Sequence, residues 1–234
     1  VAAAVIAVRQ RLTVLTAAVV TTAIVLAVGL ILGGGVSLLS FVTEQTGRGL
    51  QIESPLATVA MWTAWAHAGT SIYYDRDILT YQLQGPGTEL AAALSTPLLV
   101  LAVGAVAVLG IVGARRGRPA TFVLPPLVLA FTTALILFNK VGSPQFAGWL
   151  AVPVLFGLAT ARREGGASFR VPALLALAIG ALTQTVYPYW YGKLLGLDTV
   201  LLVALTARNA LSLALFAWAV TALVRAIRTE PQLT

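Results

Sequence analysis

The chain has 234 residues, of which 59% are hydrophobic and 10% charged, with a mean hydropathy of +0.91. A soluble domain carries about 25% charged residues, so a soluble enzyme, a disordered chain and a nucleic-acid binder are excluded. The net charge of +7 therefore calls for a membrane explanation, and the absence of Cys removes disulfides, thiol nucleophiles and Cys-based metal sites.

The composition predicts an all-α polytopic membrane protein. Val1–Val8 (VAAAVIAV) is apolar but too short to span, and it lacks the basic region and cleavage site of a signal peptide. It is expected to be the end of a transmembrane helix that begins upstream. Six complete spans follow: Leu12–Leu32, Thr88–Ile111, Pro119–Phe138, a shorter Gly148–Ala161, Val171–Val186, and one within Thr199–Ile227. Each must satisfy its own backbone in lipid and is therefore a helix. Pro125-Pro126 is expected to kink the third span and Pro153 the fourth. The last stretch exceeds one span, so Thr199–Thr206 is expected to lie along the interface, with the span starting near Arg208.

Charge sets the sidedness. Arg9, Arg11, Arg115, Arg116, Arg118, Arg162, Arg163, Arg170, Arg225 and Arg228 fall at alternate span ends. Arg48, Arg76, Lys140 and Lys193 fall at the opposite ends, with most of the acids. The Arg-rich side is predicted to be cytoplasmic, with the C-terminus inside. Lys is scarce beside abundant Arg, Ala, Val and Gly, which points to a GC-rich bacterial genome and a bacterial cytoplasmic membrane.

The extracytoplasmic side holds the candidate chemistry. Its largest part is the long loop 36–87. Within it, Val36–Thr46 suits an interfacial helix, Leu56–His67 a second short helix, and Ser71–Gln84 (SIYYDRDILTYQLQ) alternates like strands before Gly85-Pro86-Gly87. Trp62, Trp65, Tyr73, Tyr74, Tyr81, Trp149, Tyr187, Tyr189, Trp190 and Tyr191 crowd the same side. They serve either as interfacial anchors or as the lining of an outward site for a sugar or lipid head group. Lys140, between Asn139 and Ser143–Gln145, either snorkels or joins Asn, Ser and Gln donors around a phosphate or sugar.

Arg208-Asn209 lies inside the last apolar stretch. An intramembrane Arg costs about 2.5–3.5 kcal/mol on insertion scales. It is expected to form an anion site at the membrane boundary, or else to pair with Glu53 or Asp198. His67, the one histidine, is either structural or able to assist proton transfer. Glu53, Asp75 and Asp77 are the available acids. No HExxH or paired-His spacing and no phosphate-binding Gly loop is present, so no metal site, nucleotide hydrolysis or cofactor is indicated.

Three segments carry a family resemblance. Asn139-Lys140-Val141 followed by Ser143-Pro144-Gln145, with Phe146 next and Trp149 soon after, resembles the NKV-x-SPQ-[YF] segment of actinobacterial membrane mannosyltransferases. Arg48-Gly49-Leu50-Gln51-Ile52-Glu53-Ser54 resembles their RGLQ-[IV]-ES segment, and Arg208-Asn209 an Arg-Asn pair in their late span. The likeness runs from about Val36 to Asn209. These are GT-C superfamily enzymes that use polyprenyl-phosphate-mannose. The resemblance implies a single GT-C-like transmembrane domain over residues 1–234, the C-terminal part of a longer glycosyltransferase. It also implies a polyprenyl-phosphate-linked sugar donor, a lipid or glycan acceptor, and inverting transfer at the outer face. Lys140 and Arg208 would hold the lipid phosphate. Arg48, Gln51, Glu53, Asn139, Ser143 and Gln145 would position sugar or acceptor, with His67 a weaker catalytic candidate. The catalytic carboxylate of such enzymes sits in their first outer loop, expected upstream of Val1, so this part alone is expected to be inactive. A transporter or flippase for lipid-linked sugars and an envelope-assembly scaffold are the alternatives.

Overall fold

The computed structural model describes residues 11–35, 47–164 and 166–228. The expected apolar start at Val1–Val8 and the interfacial helix over Val36–Thr46 lie outside the described residues. The first described element, α1 (Arg11–Ile31), is apolar over its length, with a mean hydropathy of 2.6 and none of its span buried in the protein. After it come β1 (Leu50–Gln51), a 3-10 turn (Pro55–Ala57) and α2 (Thr58–Trp65). Strands β2 (Ser71–Asp75) and β3 (Thr80–Gln84) form a hairpin, with β1 antiparallel on the other side of β3. The alternating polar pattern of Ser71–Gln84 thus becomes a small three-stranded sheet.

The bundle follows. It comprises α3 (Thr88–Arg115), α4 (Ala120–Leu137), the single turn α5 (Phe146–Trp149), α6 (Ala151–Glu164), α7 (Arg170–Gln184), α8 (Tyr191–Leu195) and α9 (Thr199–Arg228). Between α7 and α8, a π turn over Thr185–Tyr189 is interrupted at Tyr187 by extended backbone, φ −130° and ψ 132°. Among the described residues, five helices are long and apolar enough to cross a membrane: Leu12–Ile31, Thr88–Arg115, Ala120–Leu137, Arg170–Tyr189 and Thr199–Arg228. The protein is a multi-pass helical membrane protein by that measure.

Two expectations need correction. The fourth expected span is only a short apolar helix over Phe146–Thr160, at about 1.5 Å per residue shorter than a hydrocarbon core. It is interrupted at Leu150, between α5 and α6, three residues before Pro153. Thr199–Thr206 is not a separate interfacial segment but the first two turns of the continuous 30-residue α9. These turns stay helical through tertiary contacts. Leu201, Leu202 and Leu205 are buried, while Trp62 Nε1 donates to Thr206 Oγ1 at 2.9 Å and Trp65 Nε1 to Thr199 Oγ1 at 3.0 Å. Helix α4 runs unbroken through Pro125-Pro126, both buried.

Two apolar cores result. One lies inside the bundle and includes Val123, Leu127, Phe169, Leu215 and Leu223. The other joins the apolar side of the sheet to α2, α8 and the start of α9, through Leu50, Ile52, Met61, Leu83, Leu194 and Leu202. Burying such side chains from water is worth about 1.5–3 kcal/mol each, whereas in lipid helices associate mainly by close packing and hydrogen bonds. Helix α9 runs through both cores, and the buried Arg208, Asn209 and Ser212 fall between them. At the end away from the sheet, Arg118 Nε donates to the Ile227 carbonyl at 2.9 Å, capping α9. Phe169, next to Arg170, packs edge-on against Trp218 with centroids 5.1 Å apart. The helix ends that carry Arg118, Arg170, Arg225 and Arg228 therefore lie toward one pole and the sheet at the other.

Candidate functional site

Successive side chains of a strand point to opposite faces. Tyr73 pairs with Gln82, Asp75 with Thr80 and Ser71 with Gln84, while Gln51 of β1 lies on the other side of Gln82. One face of the sheet is consequently polar. The opposite face carries Leu50, Ile72, Tyr81 and Leu83, which belong to the outer apolar core. Asp75 closes the hairpin: its Oδ1 accepts the N–H groups of Asp77 (3.0 Å) and Ile78 (3.4 Å), and its Oδ2 accepts Gln82 Nε2 at 2.8 Å.

The segment after α4 straps across β1. Gln51 N–H donates to the Lys140 carbonyl (3.0 Å), Gly142 N–H to Gln51 Oε1 (3.1 Å) and Ser54 Oγ to the Asn139 carbonyl (2.7 Å). Asn139 Oδ1 in turn accepts Val141 N–H at 2.9 Å. Gly142 lies so close to the Glu53 carbonyl and the Ser54 nitrogen that a Cβ there has no room. Glycine is required at this crossing by contact alone.

Beneath the strap sits Arg208, in the third turn of α9. Its Nη1 donates to Glu53 Oε2 at 3.3 Å, Nη2 to Asn209 Oδ1 at 2.9 Å and to the Glu53 carbonyl, and Nε to Asn209 Oδ1 at 3.1 Å. Asn209 Nδ2 reaches Thr58 Oγ1 at 2.8 Å. Arg208 is 7% and Glu53 4% exposed. Of the two sequence readings of Arg208, the ion pair with Glu53 is the one formed; Asp198 instead caps α9 by accepting the Val200 and Leu201 N–H groups. Burial pushes the Glu53 carboxyl up from the ordinary carboxylate range, against the pull of Arg208.

A cleft of about 500 Å³ opens between the polar side of the sheet and the start of α3, lined by Arg48, Tyr73, Asp75, Glu89 and Lys140 among others. That volume lies within the range of small-molecule sites, about 300–1,000 Å³. Gly49, in its lining, packs against the Gln82 carboxamide oxygen, so a Cβ there would displace that side chain. Burial, and then the charge of Arg48, hold the Lys140 ammonium below its ordinary value. Burial, and then Asp75, push Tyr73 up. The cleft thus has two cations and two carboxylates on its walls. A second opening, a crevice of about 20 Å³ lined by Ser143, Arg208, Asn209 and Ser212, has room for roughly one water.

The predicted residues separate accordingly. Arg48 and Lys140 meet in the cleft. Gln51, Glu53, Asn139 and Arg208 form the buried framework below it, and Ser143 faces the small crevice. Gln145 is exposed at the start of α5, away from both. His67 is exposed and in the left-handed region (φ 53°). It caps α2 in a Schellman arrangement, with His67 N–H to the Ala64 carbonyl (3.1 Å) and Ala68 N–H to the Thr63 carbonyl (2.9 Å). That is a structural role, and His67 lines neither opening. Tyr73, one of the aromatic candidates, lines the cleft, whereas Gln82 and Glu89 carry no site signal in the sequence beyond the strand alternation of SIYYDRDILTYQLQ, which groups Gln82 with Tyr73 and Asp75.

No family model, no curated protein and no solved structure matches the chain.

Proposed function

We propose that this chain is the carrier-binding part of a membrane glycosyltransferase of GT-C type. It binds a polyprenyl-phosphate-linked sugar, mannose by default, for inverting transfer to a lipid or polysaccharide acceptor outside a bacterial cytoplasmic membrane. One observation carries the reading: the three resembling segments, far apart in sequence, are hydrogen-bonded into one cluster beside a polar cleft. The cleft lies at the pole opposite the Arg-rich helix ends, the face that positive-inside sidedness makes extracytoplasmic.

Lys140, with Arg48 on the same wall, neutralises the lipid phosphate as it departs. Arg208, engaged by Glu53 and Asn209, holds the strap and β1 in place rather than touching phosphate. The test is transfer from labelled polyprenyl-phosphate-mannose to envelope lipids by the full-length protein in proteoliposomes. Lys140→Ala is expected to lose about a hundredfold in rate at matched folded amounts. Transfer undiminished in that variant overturns the phosphate assignment. No transfer from any lipid-linked sugar overturns the enzyme reading in favour of a transporter or scaffold.

A further inference from the structure

We infer that the polar side of the sheet is a carbohydrate-recognising wall, in which Asp75 accepts a hydroxyl of the ligand whose anionic group lies at Arg48 and Lys140. The inference rests on the carrier reading above and assigns a specificity residue within it.

Three observations lead here. Among the described residues, the buried side-chain polar atoms without a hydrogen-bond partner are Arg48 Nε, Thr80 Oγ1 and Gln82 Oε1. All belong to the segment entering β1 or to the polar side of the sheet, and buried polar atoms are otherwise almost always paired. Arg48 lines the cleft itself, and Thr80 and Gln82 lie on the strand face that carries Tyr73 and Asp75, so incomplete pairing gathers beside this opening.

The second observation is the geometry of Asp75. A carboxylate offers about four acceptor positions, and three are filled by Asp77 N–H, Ile78 N–H and Gln82 Nε2. The remaining position belongs to a group that lines the cleft. Gln82 is a positioning residue: it is 1% exposed, pinned against Gly49, and fixes Asp75 Oδ2.

The third is the charge layout. A ligand that is only anionic suits Arg48 and Lys140 but is repelled by Asp75 and Glu89, which line the same cleft. A hydroxyl-rich ring bearing one phosphate suits both, because carboxylates accept hydroxyl donors while the cations take the phosphate. Tyr73, two residues from Asp75 on the same strand face, presents a ring and a hydroxyl to that group.

The test measures binding to the full chain in lipid nanodiscs, with three probes: polyprenyl-phosphate-mannose, sugar-free polyprenyl monophosphate, and methyl mannoside at millimolar concentration. Asp75→Asn, which keeps an oxygen for the turn, is expected to weaken the sugar-bearing carrier at least tenfold and the sugar-free carrier less than twofold. Tyr73→Phe should show the same selectivity with a smaller loss. Arg48→Ala should weaken both carriers alike. Equal weakening of both carriers by Asp75→Asn, or no weakening of either, overturns the inference. Asp75-dependent binding of methyl mannoside without binding of either carrier would keep the carbohydrate wall and reject the carrier reading. No binding of any probe rejects both.

Discussion

The polar layer around Arg208 and the polar wall of the cleft are made of the same groups, a guanidinium, carboxylates and carboxamides, in opposite conditions. In the layer, Glu53, Asn209 and Thr58 take most of the donors of Arg208 and Asn209, and the group is buried between two apolar cores, with only a crevice of about 20 Å³ beside it. At the cleft, Arg48 keeps a buried polar atom unpaired, as do Thr80 and Gln82 in the strand beside it, and two cations share the cleft with Asp75 and Glu89. Near-complete pairing in a buried place makes a strut. Incomplete pairing beside an opening makes a place for a ligand. An intramembrane Arg is a functional suspect by default, but here its neighbours assign it to the strut and leave binding to the Arg at the rim.

The largest effect expected on this contrast is in the strut. Glu53→Gln strands the buried Arg208 charge, and breaking one side of a buried pair costs about 3–5 kcal/mol. The combined Glu53→Leu and Arg208→Met exchange should recover most of that stability, read by thermal unfolding in detergent, and should keep carrier binding within a few-fold. If binding collapses in a double variant that is as stable as wild type, Arg208 belongs to the site after all.

Next comes the alkaline limb of binding. Because the Lys140 ammonium is held below its ordinary value by burial and by Arg48, it loses its proton, and its hold on an anion, before an ordinary Lys would at about 10.4. Carrier affinity should therefore fall on the alkaline side earlier than for an exposed lysine. Arg48→Gln removes a like charge, so Lys140 titrates higher and the fall moves to higher pH, while affinity at neutral pH drops. An alkaline limb that stays in place in Arg48→Gln would show that the two cations do not share one ligand.

The smallest effect concerns His67. In the left-handed region a residue with a Cβ is strained, and glycine relieves it. His67→Gly should raise stability by about 1 kcal/mol or less and leave carrier binding unchanged. A tenfold loss of binding in a stable His67→Gly protein would return this residue to the site.

Much of the architecture is legible along the chain, because lipid imposes long apolar runs and a charge asymmetry that one dimension records. Arg118 does meet the Arg-bearing end of α9, and the alternation in Ser71–Gln84 does become a hairpin. The boundary of the last helix is misread at Arg208 because hydropathy treats a charge as an end. Contacts from Trp62 and Trp65, more than a hundred residues earlier, carry the helix two turns further. The partner of Arg208 is a different kind of gap. Glu53 and Asp198 are equally good acids by sequence, and only the fold brings one of them within 3.3 Å. The cleft is least legible of all, since it is made where a strap, a strand and a helix start happen to meet.

The separation of Glu53 from Arg208 by 155 positions also bears on how the chain enters its membrane. Synthesis runs from the N-terminus, so the carboxylate is in place long before the guanidinium is made. Helix α9 brings its charge to a partner that has already been synthesised. The order of synthesis thus spares the last helix part of its insertion cost, and the same meeting ties the end of the chain to the strand beside the cleft.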